Sequence, residues 1–239
     1  ISIRTDVLKL KIDPRGAMLV SSELLKYPLE KKADSPNVVL QDTKEEDYFV
    51  AQSGLTDLTT DKQEVTFRVE NGQTDFVLKD GQRTLEIPFV WENAATGLKV
   101  RKTLELTRGS YAVKVKHQLI NTGAKTWQGK PYEQFTRAQP PAPPKHSMFT
   151  NPESFSLTGA AWYNEEDKFD KKSFADFDDE KLALKNSKQS WISMLQHHFV
   201  SAWIPGKNEI RDITTSTVNG GVRPHYVITS LGQAAAIPT

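Results

Sequence analysis

Cysteine is absent from the chain, which removes disulfides and thiolate metal sites from consideration. A bias of charge is absent too: 31 Lys and Arg against 30 Asp and Glu leave a formal +1. A nucleic-acid surface needs clustered basic residues that displace counterions from phosphates. The basic touches here, Lys31-Lys32 and Lys171-Lys172, sit beside acids and read as solvated surface, so no nucleic-acid partner is expected. No apolar run approaches the ~20 residues that cross a bilayer as a helix. The chain opens at Ile1 with no charged-then-apolar leader. The expectation is either a processed targeting segment or a piece cut from a longer protein.

Catalytic signatures are missing as well. No HExxH, dinucleotide fingerprint or G-x-S-x-G elbow occurs. The nearest phosphate-loop match, Gly123 to Gly129-Lys130-Pro131, has one residue too many between its glycines, and Pro131 stands where a magnesium-binding hydroxyl belongs. The five histidines form no motif. His197 and His198 are adjacent, and on a strand they point to opposite faces. His117 lies on an apolar stripe, where a hydrogen-bonded core or rim histidine is expected. His146 follows a Pro-rich loop, and His225 precedes Tyr226 in a predicted strand.

The acidic run Glu165-Glu166-Asp167, Asp170, Asp176, Asp178-Asp179-Glu180 lacks the glycine and ligand register of a calcium loop. With lysines interleaved, it reads as a solvated, salt-bridged face. With so many acids some pair always sits at a hydrolytic spacing, so paired carboxylates are no signal. The expectation is no catalytic residue, no metal, no cofactor, and ligand-binding residues unknown.

What is present is alternation, the period of a half-buried strand. Leu8, Leu10 and Ile12 alternate with lysines up to the Pro14-Arg15-Gly16 break. Val65, Phe67 and Val69 lead to Asn71-Gly72, a hairpin signal because both positions tolerate positive φ. Asp80-Gly81 marks another turn. Leu85, Ile87, Phe89 and Trp91 form a stripe, with Pro88 on its other face arguing for an edge or bulge. Leu98, Val100, Leu104 and Leu106 share a parity, and after the Arg108-Gly109-Ser110 turn Tyr111, Val113, Val115, His117 and Leu119 form the next stripe.

The Pro-rich stretch at 139–144 reads as a stiff surface loop. Asp178–Lys188 reads as a short helix capped by Asp178 or Asp179. Trp191–Ile204 is apolar on both parities, and predicts a central strand covered on both faces. The fold class expected is all-β, a sandwich of mostly antiparallel sheets with few short helices.

Several segments resemble the large periplasmic domain of the YidC family, the membrane-protein insertases of Gram-negative bacteria. They are Thr5-Asp-Val-Leu8 running to Arg15-Gly16, and Tyr48 followed by Ala51-Gln-Ser-Gly-Leu-Thr56. Arg108-Gly-Ser-Tyr-Ala-Val113 leading to Asn121-Thr-Gly123 belongs with them, as does Gly159-Ala-Ala161 followed by Lys168-Phe169 and Lys172. The longest match is Ser190-Trp-Ile-Ser-Met-Leu-Gln-His-His-Phe-Val-Ser-Ala-Trp-Ile-Pro205.

The resemblance covers nearly the whole chain in order and is thinnest over 206–239. It implies a β-supersandwich of two large, mostly antiparallel sheets, galactose-mutarotase-like and with a cleft. By the same resemblance, residues 1–239 are a single periplasmic domain of a longer inner-membrane protein. The implied partners are translocon components (SecDF, SecYEG) and nascent membrane proteins.

Two functional readings stand side by side, with a spacer or scaffold that binds no ligand as a third. One is a non-enzymatic interaction domain, for which sheet edges and a cleft offer places to an extended chain. The other is a carbohydrate-binding or mutarotase-like module, which the fold alone does not establish.

Overall fold

The computed structural model describes residues 1–59, 64–139, 158–179, 181–196 and 198–239. Its strands are, in order, β1 (Ser2–Arg4), β2 (Leu8–Asp13), β3 (Met18–Pro28), β4 (Asn37–Val39), β5 (Phe49–Leu55), β6 (Arg68–Val69) and β7 (Asp75–Val77). There follow β8 (Thr84–Asn93), β9 (Leu98–Thr107), β10 (Val113–Asn121), β11 (Trp127–Gly129), β12 (Pro131–Ala138), β13 (Gly159–Asn164) and β14 (Lys168–Ser173). The last are β15 (Ala183–Ser187), β16 (Trp191–Gln196), β17 (Phe199–Trp203), β18 (Arg211–Asn219), β19 (Pro224–Gly232) and β20 (Ala235–Ile237). Helix among the described residues is limited to two 3-10 turns, Glu45–Asp47 and Phe174–Asp176. The fold class is all-β, as the alternation predicts.

The chain gathers into two compact units. The first holds Ile1–Asp42, Gln52–Pro131 and Ala234–Thr239; the second holds Thr43–Ala51 and Tyr132–Gln233.

In the first unit, β2 pairs antiparallel with both β1 and β3, β4 joins β3, and β1 takes β7 on its other side in parallel. A second ladder runs β10-β9-β8-β6, entirely antiparallel. Each ladder buries the apolar parity of its strands: Ile3, Leu8, Leu10 and Ile12 in one, Ile87, Phe89, Val100 and Leu106 in the other. Asn71-Gly72 does turn the chain, with Gly72 at φ 72°, but it makes no hairpin. β6 pairs with β8 and β7 with β1, because those partners offer apolar faces to Val69 and Phe76. Pro88 lies just beyond the two-residue β6, where β8 needs no amide donor, and its carbonyl accepts from Glu70 N.

In the second unit, the ladder β15-β18-β19-β12 is antiparallel, and β14-β13-β16-β17 forms a four-stranded sheet. Two expectations are corrected here. Residues 183–187 of the predicted helix are strand β15, since Leu184 pairs with the fully buried Ile213 and a partner strand outweighs local helix preference. Trp191–Ile204 is a hairpin, β16 and β17, and not one central strand. Ile192 and Met194 are fully buried, whereas Val200 and Ile204 are exposed. His198 therefore sits in the turn and off any strand; its neighbour His197, like the Pro-rich stretch from 140 and His146, lies outside the described residues.

Candidate interaction surface

The sheet β14-β13-β16-β17 has one apolar face too many. Its inner parity carries Trp162, Ile192, Ala160 and Met194, all buried. Behind them Trp203 sets its ring 6.0 Å from that of Phe135 and donates its Nε1 hydrogen to Gln134 O at 3.2 Å.

The outer parity carries aromatics as well. Tyr163 on β13 stands directly opposite Phe169 on β14 and Trp191 on β16. The Tyr163 and Trp191 rings are 6.1 Å apart and within 10° of parallel, and Phe169 lies 6.0 Å from Trp191. Ile192 pairs with Trp203, so the next step of the same register brings Ile204 towards Trp191. Across four strands about 4.8 Å apart this makes an apolar row whose ends are open: Phe169 is 53% exposed and Ile204 75%.

Beneath this sheet the second unit is braced by charges that leave water only against compensation. The Arg137 guanidinium is held between Phe49 and Phe174, 5.3 and 5.6 Å from their ring centres, and donates to Leu195 O at 2.9 Å. Burial lowers it to about 10, with Asp47 pulling the other way. Arg211, 2% exposed, pairs with Glu133 at 3.1 Å and with Glu209. Burial pushes the Glu133 carboxyl up while the Arg211 charge opposes it. His225 is stacked on Tyr48 at 4.5 Å, and burial lowers it.

In the first unit the motif residues build turns and one buried charge. Thr5 Oγ1 accepts from Leu8 N at 3.0 Å, and Asp6 receives Gly109 N at 3.0 Å. Arg108 donates to Lys79 O and Gln82 O. Arg15-Gly16 and Gln52-Ser53 meet at the one lysine that breaks the apolar parity of β9. Lys102 Nζ donates to Gly16 O, Ala17 O and Ser53 O at 2.9–3.0 Å. Burial lowers its amine to about 7.

His117, directly opposite on β10, is lowered to about 3, first by burial and then by the Lys102 charge. Its buried Nε2 has no hydrogen bond among the described residues, which corrects the expectation of a hydrogen-bonded histidine. The signal for Lys102 was legible as the charged gap in Leu98, Val100, Leu104, Leu106. No group of three or more His, Asp or Glu suited to a metal ion occurs among the described residues. A cleft of about 580 Å³ beside Ile1, Lys11, Asp13 and Asp75 has no aromatic side chain in its lining.

The family model of the YidC periplasmic domain matches residues 1–239, the whole chain. The chain belongs to that family. It is 37% identical over 225 residues to the membrane protein insertase YidC of Stenotrophomonas maltophilia strain R551-3, covering 92% of this chain and 38% of that protein. To the membrane protein insertase YidC of Xanthomonas campestris pv. campestris strain 8004 it is 34% identical over 209 residues, 87% of this chain and 35% of the relative. The chain thus spans well under half the length of the insertases it matches.

As a YidC periplasmic domain it is a β-rich piece that matches part of proteins named membrane protein insertases. No helix of the described residues is long and apolar enough to cross a membrane. The motif residues in the first unit hold its turns together, while the aromatic row in the second joins Trp191 and Ile204, read from sequence as part of a covered central strand, to Phe169 from the charged stretch.

Proposed function

We propose that this YidC periplasmic domain is a contact module at the periplasmic face of the bacterial inner membrane. It engages Sec translocon components (SecDF, SecYEG) or nascent membrane proteins during insertion. The observation that carries this reading is the open aromatic row Phe169, Tyr163, Trp191, Ile204, since large aromatic side chains set on a rigid sheet are the residue types that anchor protein contacts.

The histidines support it from the other side. A sugar epimerase needs a base and an acid that reach the ring, but His117 is half-buried with its Nε2 turned inward, and His225 is stacked on Tyr48. The test is site-specific photocrosslinking in the full-length insertase, with the probe scanned over the surface of residues 158–204 in cells. Crosslinks to translocon subunits or to newly made membrane proteins are the expected result. Crosslinking to neither class from any position would overturn the reading. Mutarotation of freshly dissolved galactose should follow the buffer rate in the presence of the domain.

A further inference from the structure

The outer face of β14-β13-β16-β17 has a chemical direction. At one end, the β13–β14 turn presents Glu165, Glu166 and Asp167, all exposed, and none of the three forms an ion pair with a Lys or Arg among the described residues. At these three residues the acidic run is solvated, as read from the sequence, and not salt-bridged.

Neighbouring groups aim the carboxylates without neutralising them. Gln189 Nε2 donates to Glu165 Oε1 at 3.0 Å, and Asn164 Nδ2 donates to Asp167 Oδ2 at 2.9 Å. Lys168, the nearest cation in sequence, turns its Nζ to the Glu165 backbone carbonyl at 2.6 Å. Next along the face comes the aromatic row. Beyond it Lys171 is exposed, while Ala161 and Ser193, opposite one another in register, are fully buried, so the open part of the face ends at the aromatic row.

We propose that this face is a docking site for a polypeptide segment that carries a Lys or Arg side chain beside large apolar side chains. This inference rests on the contact-module reading and names the chemistry of the partner. The apolar side chains lie across Phe169, Trp191 and Ile204, removing exposed apolar surface from water. The cation reaches Glu165 and Glu166, where a charge-assisted hydrogen bond is available, and its stem or guanidinium plane covers the Tyr163 and Trp191 rings. Lys171 at the far side disfavours the reverse orientation. Three carboxylates at the rim repel anionic headgroups, so the face suits a protein chain better than a lipid surface.

The experiment measures binding of two capped, fluorescent peptides to the 239-residue chain at low salt: one alternates Leu and Arg, the other Leu and Glu. The Arg peptide should bind at least tenfold more tightly than the Glu peptide. Phe169→Ala and the pair Glu165→Gln with Glu166→Gln should each weaken it at least fivefold, and Glu70→Gln, in the first unit, should leave it unchanged. Phe169, Glu165 and Glu166 are exposed, so the variants should keep the wild-type melting temperature, which is checked first.

Equal binding of both peptides, or no effect of Phe169→Ala, overturns the proposal. Tighter binding of the chain to anionic vesicles or to a soluble glycan oligosaccharide than to the Arg peptide also overturns it. If Phe169→Ala leaves the crosslinks of the full-length insertase intact, this face is wrong while the contact-module reading survives.

Discussion

A lysine in the middle of an apolar stripe must be neutral, paired or wrapped in acceptors, and Lys102 is wrapped. Its amine binds three backbone carbonyls of the first unit, two from the β2–β3 turn and one from strand β5. Lys102→Met would strand those carbonyls, each of which costs about 1–3 kcal/mol when buried without a donor, with relief of the buried charge offsetting part of the loss. A net loss of about 2 kcal/mol at pH 6 is expected from urea unfolding.

The pH dependence has a definite sign. Unfolded Lys102 keeps its proton up to the ordinary 10.5, whereas the folded amine releases it near 7. Between those values the unfolded state binds more protons, so stability rises with pH, by at most about 1.4 kcal/mol per unit. The gap between wild type and Lys102→Met should therefore widen from pH 7 to 10; a constant gap would show the amine charged throughout.

His117 acts in the acid range. Folded, it stays neutral down to about 3, but unfolded it takes a proton below the ordinary 6.5. Stability is lost as pH falls from 6.5 towards 3. His117→Leu, which continues the Val113, Val115, Leu119 stripe, should retain about 2–3 kcal/mol more than wild type at pH 4. Equal acid sensitivity of the two proteins would refute the buried neutral state.

At the scale of the element, the strands of the first unit were legible because one face of each is wet and the other dry. Leu85, Ile87 and Phe89 or Leu98, Val100 and Leu104 announce their direction by parity alone. Pairing was less legible. Asn71-Gly72 is sound turn chemistry, yet the strand that follows it joins β1, a choice made by apolar partners distant in sequence.

The Trp191–Ile204 hairpin was misread for a different physical reason. Two apolar parities normally mean two covered faces, but here the second face is the candidate contact surface, and burial and binding use the same residue types. Trp203 and Phe169 should separate in stability. Trp203, against Phe135 and bonded to Gln134 O, should cost about 2–4 kcal/mol on change to Ala. Phe169→Ala, on the open row, should cost under about 1 kcal/mol.

The Asn121-Thr-Gly123 motif makes a sharper element-level case. A Cβ at Gly123 would lie 1.9 Å from Thr96 O, while Thr122 N bonds Gly97 O at 2.9 Å to hold the two turns together. Gly123→Ala should lower the melting temperature by several degrees, on the order of 2 kcal/mol or more, because a backbone and not a mobile side chain has to move.

For the whole molecule, connectivity decides which pieces can fold. Neither compact unit is one continuous stretch: the second borrows Thr43–Ala51 from within the first half of the chain, and the first takes back Ala234–Thr239 at its end. The borrowed pieces are structural. Phe49 supplies one of the two rings that hold Arg137 and lies 5.6 Å from Phe135, and Tyr48 O receives Ala138 N at 2.7 Å. In the first unit, β20 is the partner of β11, and Ile237 O accepts from Asn121 Nδ2 at 3.0 Å. A cut between residues 131 and 132 should therefore leave two incomplete pieces.

Fragment 132–239 should fail to fold, because burying Arg137 without the Phe49 ring and the Tyr48 carbonyl exposes a charge and a backbone amide to an apolar interior. Fragment 1–131 lacks only Ala234–Thr239 of the first unit, so it should retain a weakened transition at lower urea. Equimolar mixing should restore part of the signal of the intact chain. Urea titrations of each fragment, followed by circular dichroism and by tryptophan fluorescence (Trp91 and Trp127 in 1–131, Trp162, Trp191 and Trp203 in 132–239), check this directly. A cooperative transition in 132–239 alone would show that Thr43–Ala51 is dispensable and that the second unit is an autonomous domain.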